Sequence, residues 1–187
     1  HGLGRPLGVT RHQLLVHPSI PYTSHNSAAC LDLESAQEPG SIFRFCKSFL
    51  MAQSMPGSNP GLCVLLSSQA TRGLIEFGQA GRDTILDSEQ ACEVARESGA
   101  LVAAMGSSGL GVIGAVAAVG LRASGDDGRF IGLAGIRELQ GIVSVGEIKQ
   151  KTAIASIVSS DFVELADDAT VDTQDWLRPR LVNGRAV

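Results

Sequence analysis

Short apolar segments near the start of the chain are separated by breaks rich in proline and glycine. Residues 9–17 alternate loosely between apolar and polar side chains and end before Pro18, which predicts a strand. Residues 28–33 predict a second strand. A polar loop that includes residues 21–26 separates the two, so the strands could form a wide hairpin with a functional tip.

Apolar residues at helical spacing follow this hairpin. They predict an amphipathic helix over residues 41–54, with Ser41 as its N-cap. The segment Pro56–Gly61 breaks the helix, and residues 62–66 predict a buried strand. Residues 67–84 contain three glycines and predict a domain boundary or a long connection.

The second half of the chain opens with a predicted helix over residues 88–98, capped by Asp87 or Ser88 and ended by Gly99. Next we expect an apolar run over residues 101–105 and a buried helix rich in small residues over residues 109–121. A strand over residues 129–136 and several short β segments over residues 140–187 follow. Asn183-Gly184 is a strong hairpin signal.

Composition narrows the classes of function. The chain has 187 residues, 44% hydrophobic and 18% charged, so it can bury a core and is not disordered over most of its length. No apolar stretch reaches about 18 residues without Gly, Ser or charge, so we expect no membrane partner. A net charge of −4 argues against a nonspecific binder of duplex DNA. Twelve of the 15 basic residues are Arg, which leaves RNA contact through a local Arg patch open.

Cysteine and histidine placement does not predict metal or redox chemistry. The cysteines at positions 30, 46, 63 and 92 lie in or beside apolar runs without a CxxC pair, so we expect buried free thiols. With no recognisable signal peptide, this indicates a cytoplasmic setting. Neither His12 nor His17 completes a ligand set, so we predict no metal site among these residues.

Four polar or glycine-rich segments are candidates for a binding site. Residues 21–26 offer hydroxyl, amide and imidazole groups, and residues 56–61 can present backbone N–H groups to an anion. Taken alone, each segment is better explained as an ordinary turn. Gly109–Gly114 matches the GxGxxG pattern but lacks the expected downstream acid, and close helix packing explains the same glycines. Asp172–Trp176 and the arginines after it could stack on a base or anchor the C-terminal strands.

Taken in order, these segments resemble those of the archaeal isoleucine-tRNA agmatidine synthetase (TiaS) family. Residues 14–28, LLVHPSIPYTSHNSA, and residues 58–61, SNPG, are similar to family segments that contain IPY and TNPG. Residues 109–120, GLGVIGAVAAVG, are similar to the family's GRGLIGALAAVGA, and residues 172–176, DTQDW, to its DNVDW. The four segments span most of the chain.

The resemblance implies an enzyme that uses ATP to activate a tRNA cytidine, whose base oxygen agmatine then replaces. It implies that residues 1–75 are part of a kinase-like nucleotide-binding domain, and that residues 76–187 form a ferredoxin-like domain with a β-rich C-terminal segment. The family's acidic GIDDTDS motif, expected to hold Mg²⁺, would precede His1, and its OB-fold and zinc ribbon are absent here. Leu110 stands where the family has Arg, and cations near Thr23–His25 are replaced, so phosphate partners are lost.

The prediction is therefore an α+β fold of two small packed α/β domains, the second ferredoxin-like. We expect a TiaS-like, ATP-dependent enzyme of ligase or transferase type that acts on RNA or a nucleotide-like molecule, with ATP and Mg²⁺ as cofactors and the Mg²⁺ ligands outside this chain. The alternative is a non-catalytic binding or oligomerisation module on the same scaffold, and a homo-oligomer stays open. The expected nucleotide contacts are Ser24, Asn26, Ser58, Asn59, Gly61, Gly109, Gly111 and Gly114, and the expected substrate contacts are His25, Asp175 and Trp176.

Overall fold

Helices and small antiparallel sheets build the protein, so the predicted α+β class is confirmed. The computed structural model describes residues 2–21 and 25–187. Its helices are α1 (Pro39–Gln53), α2 (Arg72–Ala80), α3 (Ser88–Glu97), α4 (Gly111–Ser124) and α5 (Val145–Lys151). Its strands are β1 (Arg5–Gln13), β2 (Ser27–Glu34), β3 (Gly61–Val64), β4 (Leu101–Ala104), β5 (Arg129–Gly132), β6 (Ile142–Ser144), β7 (Thr170–Asp172), β8 (Leu181–Val182) and β9 (Arg185–Ala186). No described helix has the length and apolar character needed to span a membrane.

The predicted wide hairpin is confirmed in the sheet β2-β1-β5. β1 and β2 pair antiparallel, with Gln13 opposite Ser27, and β5 pairs with the other edge of β1. β1 begins at Arg5 and ends at Gln13, so both ends lie earlier than the predicted residues 9–17. The backbone N–H of Leu14 still donates to the Asn26 carbonyl at 2.9 Å, whereas that of Leu15 donates to the Gly81 carbonyl at 3.0 Å, so pairing with β2 ends there.

Helix α4 forms the centre of the larger hydrophobic core, as its predicted burial requires. Val116 and Leu121 are fully buried, together with much of the helix's small-residue surface. On the side that meets α2, a Cβ added to Gly120 would overlap the carbonyl oxygen of Leu74, and one added to Gly78 would lie 2.7 Å from the Ala117 oxygen. Glycine is therefore needed on both helices for this close approach.

Residues 67–84 contain α2, which the sequence did not predict. Thr71 caps this helix by accepting a hydrogen bond from the backbone N–H of Leu74 at 3.2 Å, and the side chains of Leu74 and Phe77 are buried in the main core. Glycine weakens the helical signal here because it is a poor helix former. The division of the chain into two domains stays a prediction, as does the ferredoxin-like topology of the second.

Two predicted helix starts are settled by their caps. α1 begins at Pro39, with Glu38 at the N-cap position, so the Ser41 cap was wrong; proline fits the first turn because its missing N–H is unpaired there anyway. α3 begins at Ser88 with a capping box between Asp87 and Gln90, which selects Asp87 from the two predicted caps.

The region after residue 140 is less β-rich than predicted. Ser144 ends β6 and caps α5 by accepting from the Glu147 backbone N–H at 3.2 Å, so the segment that follows is helical rather than extended. The Asn183-Gly184 hairpin joins β8 and β9, with φ angles of 48° and 74° that suit a tight turn. A second hydrophobic core lies here, built around Phe130, Ile136, Leu139, Ile148, Ile154, Leu181 and Ala186.

Candidate functional site

An open cleft of about 1430 Å³ lies between β2 and β3, with α4 beneath it. Gly111 and Gly114 of α4 are among the residues that line it. Among the described strands, β2 pairs only with β1 and β3 only with β4, so each strand presents an unpaired edge to the cleft. The cleft is therefore bounded by backbone polar groups at its sides and by an apolar helix below.

Two glycine-containing loops meet where α4 begins. A Cβ added to Gly61 would overlap the carbonyl oxygen of Gly111, and one added to Gly111 would lie 2.6 Å from the backbone nitrogen of Gly61. The backbone N–H of Met105 donates to the Pro60 carbonyl at 3.0 Å, which fastens the same junction. These glycines allow two backbones to touch, and this accounts for much of the glycine pattern that resembled a phosphate loop.

Asn59 holds these two loops together. Its Oδ1 accepts hydrogen bonds from the backbone N–H of Ser108 at 2.7 Å and from the Ser107 hydroxyl at 3.5 Å, while its Nδ2 donates to the Gly57 carbonyl at 3.4 Å. Gly106 lies against it with φ 81°, a backbone conformation that favours glycine. The Asn59 amide is thus engaged in shaping the rim of the cleft.

The polar groups of Asn26 and Ser58 are also tied to their own loops. Asn26 Nδ2 donates to the Leu15 carbonyl at 2.7 Å, which closes the base of the loop between β1 and β2. The Ser58 hydroxyl donates to the Met55 carbonyl at 2.7 Å. Both residues line the cleft, and these hydrogen bonds fix the positions of their side chains.

The structure brings together most of the predicted nucleotide contacts and separates the predicted substrate contacts from them. Asn26, Ser58, Asn59, Gly61, Gly111 and Gly114 all line the cleft. Gly109 does not; with φ 67° it turns the chain into α4. Ser24 lies outside the described residues, and His25 is exposed and is not part of the cleft lining.

Asp175 and Trp176 lie beside the second core rather than at the cleft. The guanidinium carbons of Arg137 and Arg178 are 4.2 and 4.3 Å from the centre of the Trp176 ring. Arg178 also forms a two-point ion pair with Asp175, at 3.0 and 2.9 Å, and this hydrogen bonding lowers the pKa of the Asp175 carboxyl. The arrangement agrees with the anchoring interpretation of this segment.

The cleft contains an ion pair that the sequence did not predict. Arg122 of α4 donates to Asp32 of β2 at 2.8 Å, and its guanidinium lies 5.4 Å from the centre of the Phe130 ring. Arg122 is the one Arg, Lys or His among the described residues that line the cleft. A charged residue at the end of an otherwise apolar helix was the signal available in the sequence.

Three cysteines, at positions 30, 46 and 63, line the cleft, and none is activated, because burial raises the pKa of each thiol. Burial raises the pKa of the Cys30 thiol to about 11 and that of Cys63 to about 12, so both stay protonated near neutral pH and are poor nucleophiles. Cys46 is partly buried and Cys92 is exposed, so the prediction that all four thiols are buried was wrong for Cys92. The cytoplasmic setting stays a prediction.

A hydroxyl–imidazole–carboxylate chain lies away from the cleft and has the order of a catalytic triad. His12 Nδ1 is 2.8 Å from Asp127 Oδ1, and His12 Nε2 is 2.9 Å from Thr10 Oγ1. Arg82 closes the chain with a 2.9 Å hydrogen bond to Asp127. Thr10 and His12 are fully buried, so no substrate reaches them, and the chain holds β1 against the turn at Asp127.

Comparison with known proteins gives a likeness in fold alone. No protein-family profile matches the sequence, and no curated protein sequence matches it. The fold is similar to the crystal structures of apo TiaS, a tRNA agmatidine synthetase, and of a tRNA fluorescent labelling enzyme, each with a TM-score of 0.53 and 24% identity. It is also similar to the complex of TiaS with its tRNA and ATP, with a TM-score of 0.54 and 24% identity. Each match covers 63% of this chain, which spans only 28% of the length of those proteins.

Proposed function

We propose that this chain binds a nucleotide in the cleft and works as part of a TiaS-like protein that acts on RNA. One observation carries the proposal: the loops at residues 57–61 and 106–111 meet at the start of α4 and open, together with Asn26, onto one cleft. Its volume of about 1430 Å³ exceeds the roughly 300–1,000 Å³ of most small-ligand sites, which leaves space for a second substrate. The similarity in fold to TiaS solved with tRNA and ATP also supports a chain that binds a nucleotide and acts on RNA.

The charges in the cleft indicate which part of a nucleotide it holds. Hydroxyl, amide and backbone groups suit a base and a ribose, whereas Arg122 already pairs with Asp32. A triphosphate without a free cation would lose its hydration and gain little in return. We therefore propose that the base and ribose supply most of the affinity for this chain.

The described residues do not by themselves fit Mg²⁺. Among them there is no group of three or more His, Cys, Asp or Glu side chains able to hold a metal ion. The two carboxylates that line the cleft are engaged elsewhere, Asp32 with Arg122 and Asp87 as the N-cap of α3. ATP with Mg²⁺ as the cofactor pair, and a reaction of ligase or transferase type, stay proposals that require carboxylates from outside residues 1–187.

Calorimetric titration with adenosine, AMP and ATP, each with and without Mg²⁺, tests the proposal. We expect adenosine and ATP to bind with affinities of the same order, because no free cation favours the phosphates. Asp32→Asn releases Arg122 for a phosphate, so it should raise ATP affinity about 10-fold, the effect of about one hydrogen bond to a charged group, and leave adenosine unchanged.

Glu34→Gln is the matched control, because Glu34 lies on the same strand and pairs with Arg5 at 2.8 Å on the exposed surface. It should change neither affinity. Failure of adenosine and of every nucleotide to bind would refute the proposed function, and an equal gain in ATP affinity from both variants would refute the role of Arg122.

A further inference from the structure

Four arginines lie on one outer surface, two in the sheet that contains β1 and β5 and two at the adjoining β8-β9 hairpin. Arg11 on β1 stands opposite Arg129 on β5, and Arg129 forms a β-bridge with Arg180. Neighbouring strands lie about 4.8 Å apart and cross-strand partners share a face, so the three stand in one row. Val182 lies two residues after Arg180 and so shares its face. Arg185 is the cross-strand partner of Val182 and therefore projects from that face as well. Arg11, Arg129, Arg180 and Arg185 are called the arginine face below.

This face is open to solvent. Thr10 and His12, on either side of Arg11, are fully buried, so alternation along β1 turns Arg11 outward. All four members of the arginine face are exposed. Ala29 and Leu31, on the neighbouring strand β2, are exposed as well, so the surface continues across the sheet.

Acidic side chains do not neutralise the arginine face. Among the described residues none of its four members forms an ion pair. The carboxylates in the adjoining turn have other partners: Asp127 turns inward to His12, and Asp126 accepts a hydrogen bond from the Asn183 backbone N–H at 2.7 Å. A protein of net charge −4 therefore keeps a concentrated, uncompensated positive surface at this place.

The cross-strand pairing of Arg129 with Arg180 is unfavourable for folding. Two hydrogen bonds flank the pair: Phe130 N donates to the Pro179 carbonyl at 2.8 Å, and Leu181 N donates to the Gly128 carbonyl at 3.0 Å. Arg129 and Arg180 are therefore a non-hydrogen-bonded pair, the kind whose side chains lie closest in an antiparallel ladder. Like charges directly opposite each other destabilise a sheet. Fold stability does not explain the pair, whereas a bound anion would neutralise it.

We propose that the arginine face binds the phosphodiester backbone of a folded RNA without reading its base sequence. Planar guanidinium groups bind phosphate oxygens at two points, and a row of them matches a chain of phosphates. The aliphatic side chains of Ala29 and Leu31 beside the row offer no ring for unstacked bases, so the surface fits backbone rather than base contacts. The choice of RNA as the polyanion rests on the proposed function, but the site is new, since none of the four arginines lines the cleft.

Fluorescence anisotropy with a labelled RNA hairpin, over a series of KCl concentrations, tests this proposal. The triple variant R11Q/R129Q/R180Q should lose about 100-fold or more in affinity at about 0.1 M salt, because each phosphate contact contributes about 0.7–0.9 to the slope of log K against log salt. That slope should fall by about 2 to 2.7.

The variant R44Q/R72Q/R96Q removes the same charge from exposed positions on three helices and is the matched control. It should keep both affinity and slope. Equal losses in the two triple variants, or unchanged affinity in the first, would overturn the proposal. So would absent RNA binding by the parent protein, or equal binding of polyglutamate or of anionic vesicles.

Arg180→Gln alone separates loss of binding from loss of folding. It relieves the repulsion with Arg129, so its melting temperature should rise while its RNA affinity falls. A fall in both would count against the proposal. The ATP titration, repeated on R11Q/R129Q/R180Q, keeps the two proposals distinct: retained nucleotide binding with lost RNA binding supports the arginine face, whereas absent nucleotide binding in the parent protein refutes only the cleft.

Discussion

Two glycines on α4 give a matched test of how closely this helix packs. A Cβ on Gly120 would overlap the carbonyl oxygen of Leu74 and lie 3.4 Å from the Cα of Gly78. A Cβ on Gly114, on the same helix, would make an ordinary contact of 3.6 Å with the Ala28 Cβ. Substitution by alanine therefore meets rigid backbone at one position and available space at the other.

Substitution by alanine is expected to raise the free energy of unfolding at Gly114 and to lower it at Gly120. Alanine is about 1 kcal/mol more favourable than glycine inside a helix, so Gly114→Ala should raise the free energy of unfolding by up to about 1 kcal/mol. At Gly120 the overlap is with α2, whose Leu74 is fully buried and cannot move without opening the core. Overpacking costs about 3 kcal/mol at its upper range, so after the gain in helix propensity Gly120→Ala should lower stability by about 2 kcal/mol.

Urea and thermal unfolding followed by circular dichroism measure the difference. At about 2–4 °C per kcal/mol for a chain of this size, Gly120→Ala should lower the melting temperature by about 4–8 °C, and Gly114→Ala should raise it by up to about 4 °C. Gly73→Ala, in α2 with nothing within 4 Å of the added Cβ, isolates the propensity gain. Equal shifts of one sign at Gly114 and Gly120 would refute the close packing of α2 on α4.

Three further predictions concern pH, thiol reactivity and the cleft rim. Burial lowers the pKa of His12, so the stabilising contribution of the neutral imidazole is complete above about pH 6.5 and is lost as the pH falls through the lower folded-state pKa. The urea midpoint of unfolding should therefore fall between about pH 7 and 5, and His12→Gln should make that fall smaller. Cys92 should react with a thiol reagent in the native protein, whereas Cys63, whose pKa burial raises to about 12, should react only on unfolding, and rapid modification of Cys63 would contradict this. Asn59→Ala removes the acceptor for the exposed Ser108 N–H and should lower the free energy of unfolding by about 0.5–1.5 kcal/mol in urea melts, with a smaller loss for Asn59→Asp.

The parts of the fold that the sequence predicted are those with strong local signals. The apolar, small-residue pattern of residues 109–121 identified a buried helix because few other structures can accommodate it. Asp87 and Gly99 marked both ends of α3, since a capping side chain and a residue with φ 71° act within one turn. Asn183-Gly184 marked the last hairpin for the same reason.

The parts that the sequence did not predict depend on contacts distant along the chain. α2 escaped notice because Gly78, which weakens its local signal, is required by the approach of α4. The pairing of Asp32 with Arg122 joins residues 90 positions apart, and no local pattern encodes it. The row from Arg11 to Arg180 appears only when β1 and β5 are placed in register and Arg180 is paired with Arg129.

The glycine pattern at the start of α4 shows why a motif needs its packing before it indicates a ligand. In a dinucleotide site the second glycine lets the backbone approach the phosphates. Here Gly109 makes the turn with φ 67°, Gly111 meets the backbone of Gly61, and a Cβ added to Gly114 would make only ordinary contacts. The glycine pattern therefore does not indicate a phosphate loop at the start of α4. This agrees with the proposal that the base and ribose supply most of the affinity, since the one cation that lines the cleft is already paired in the described structure.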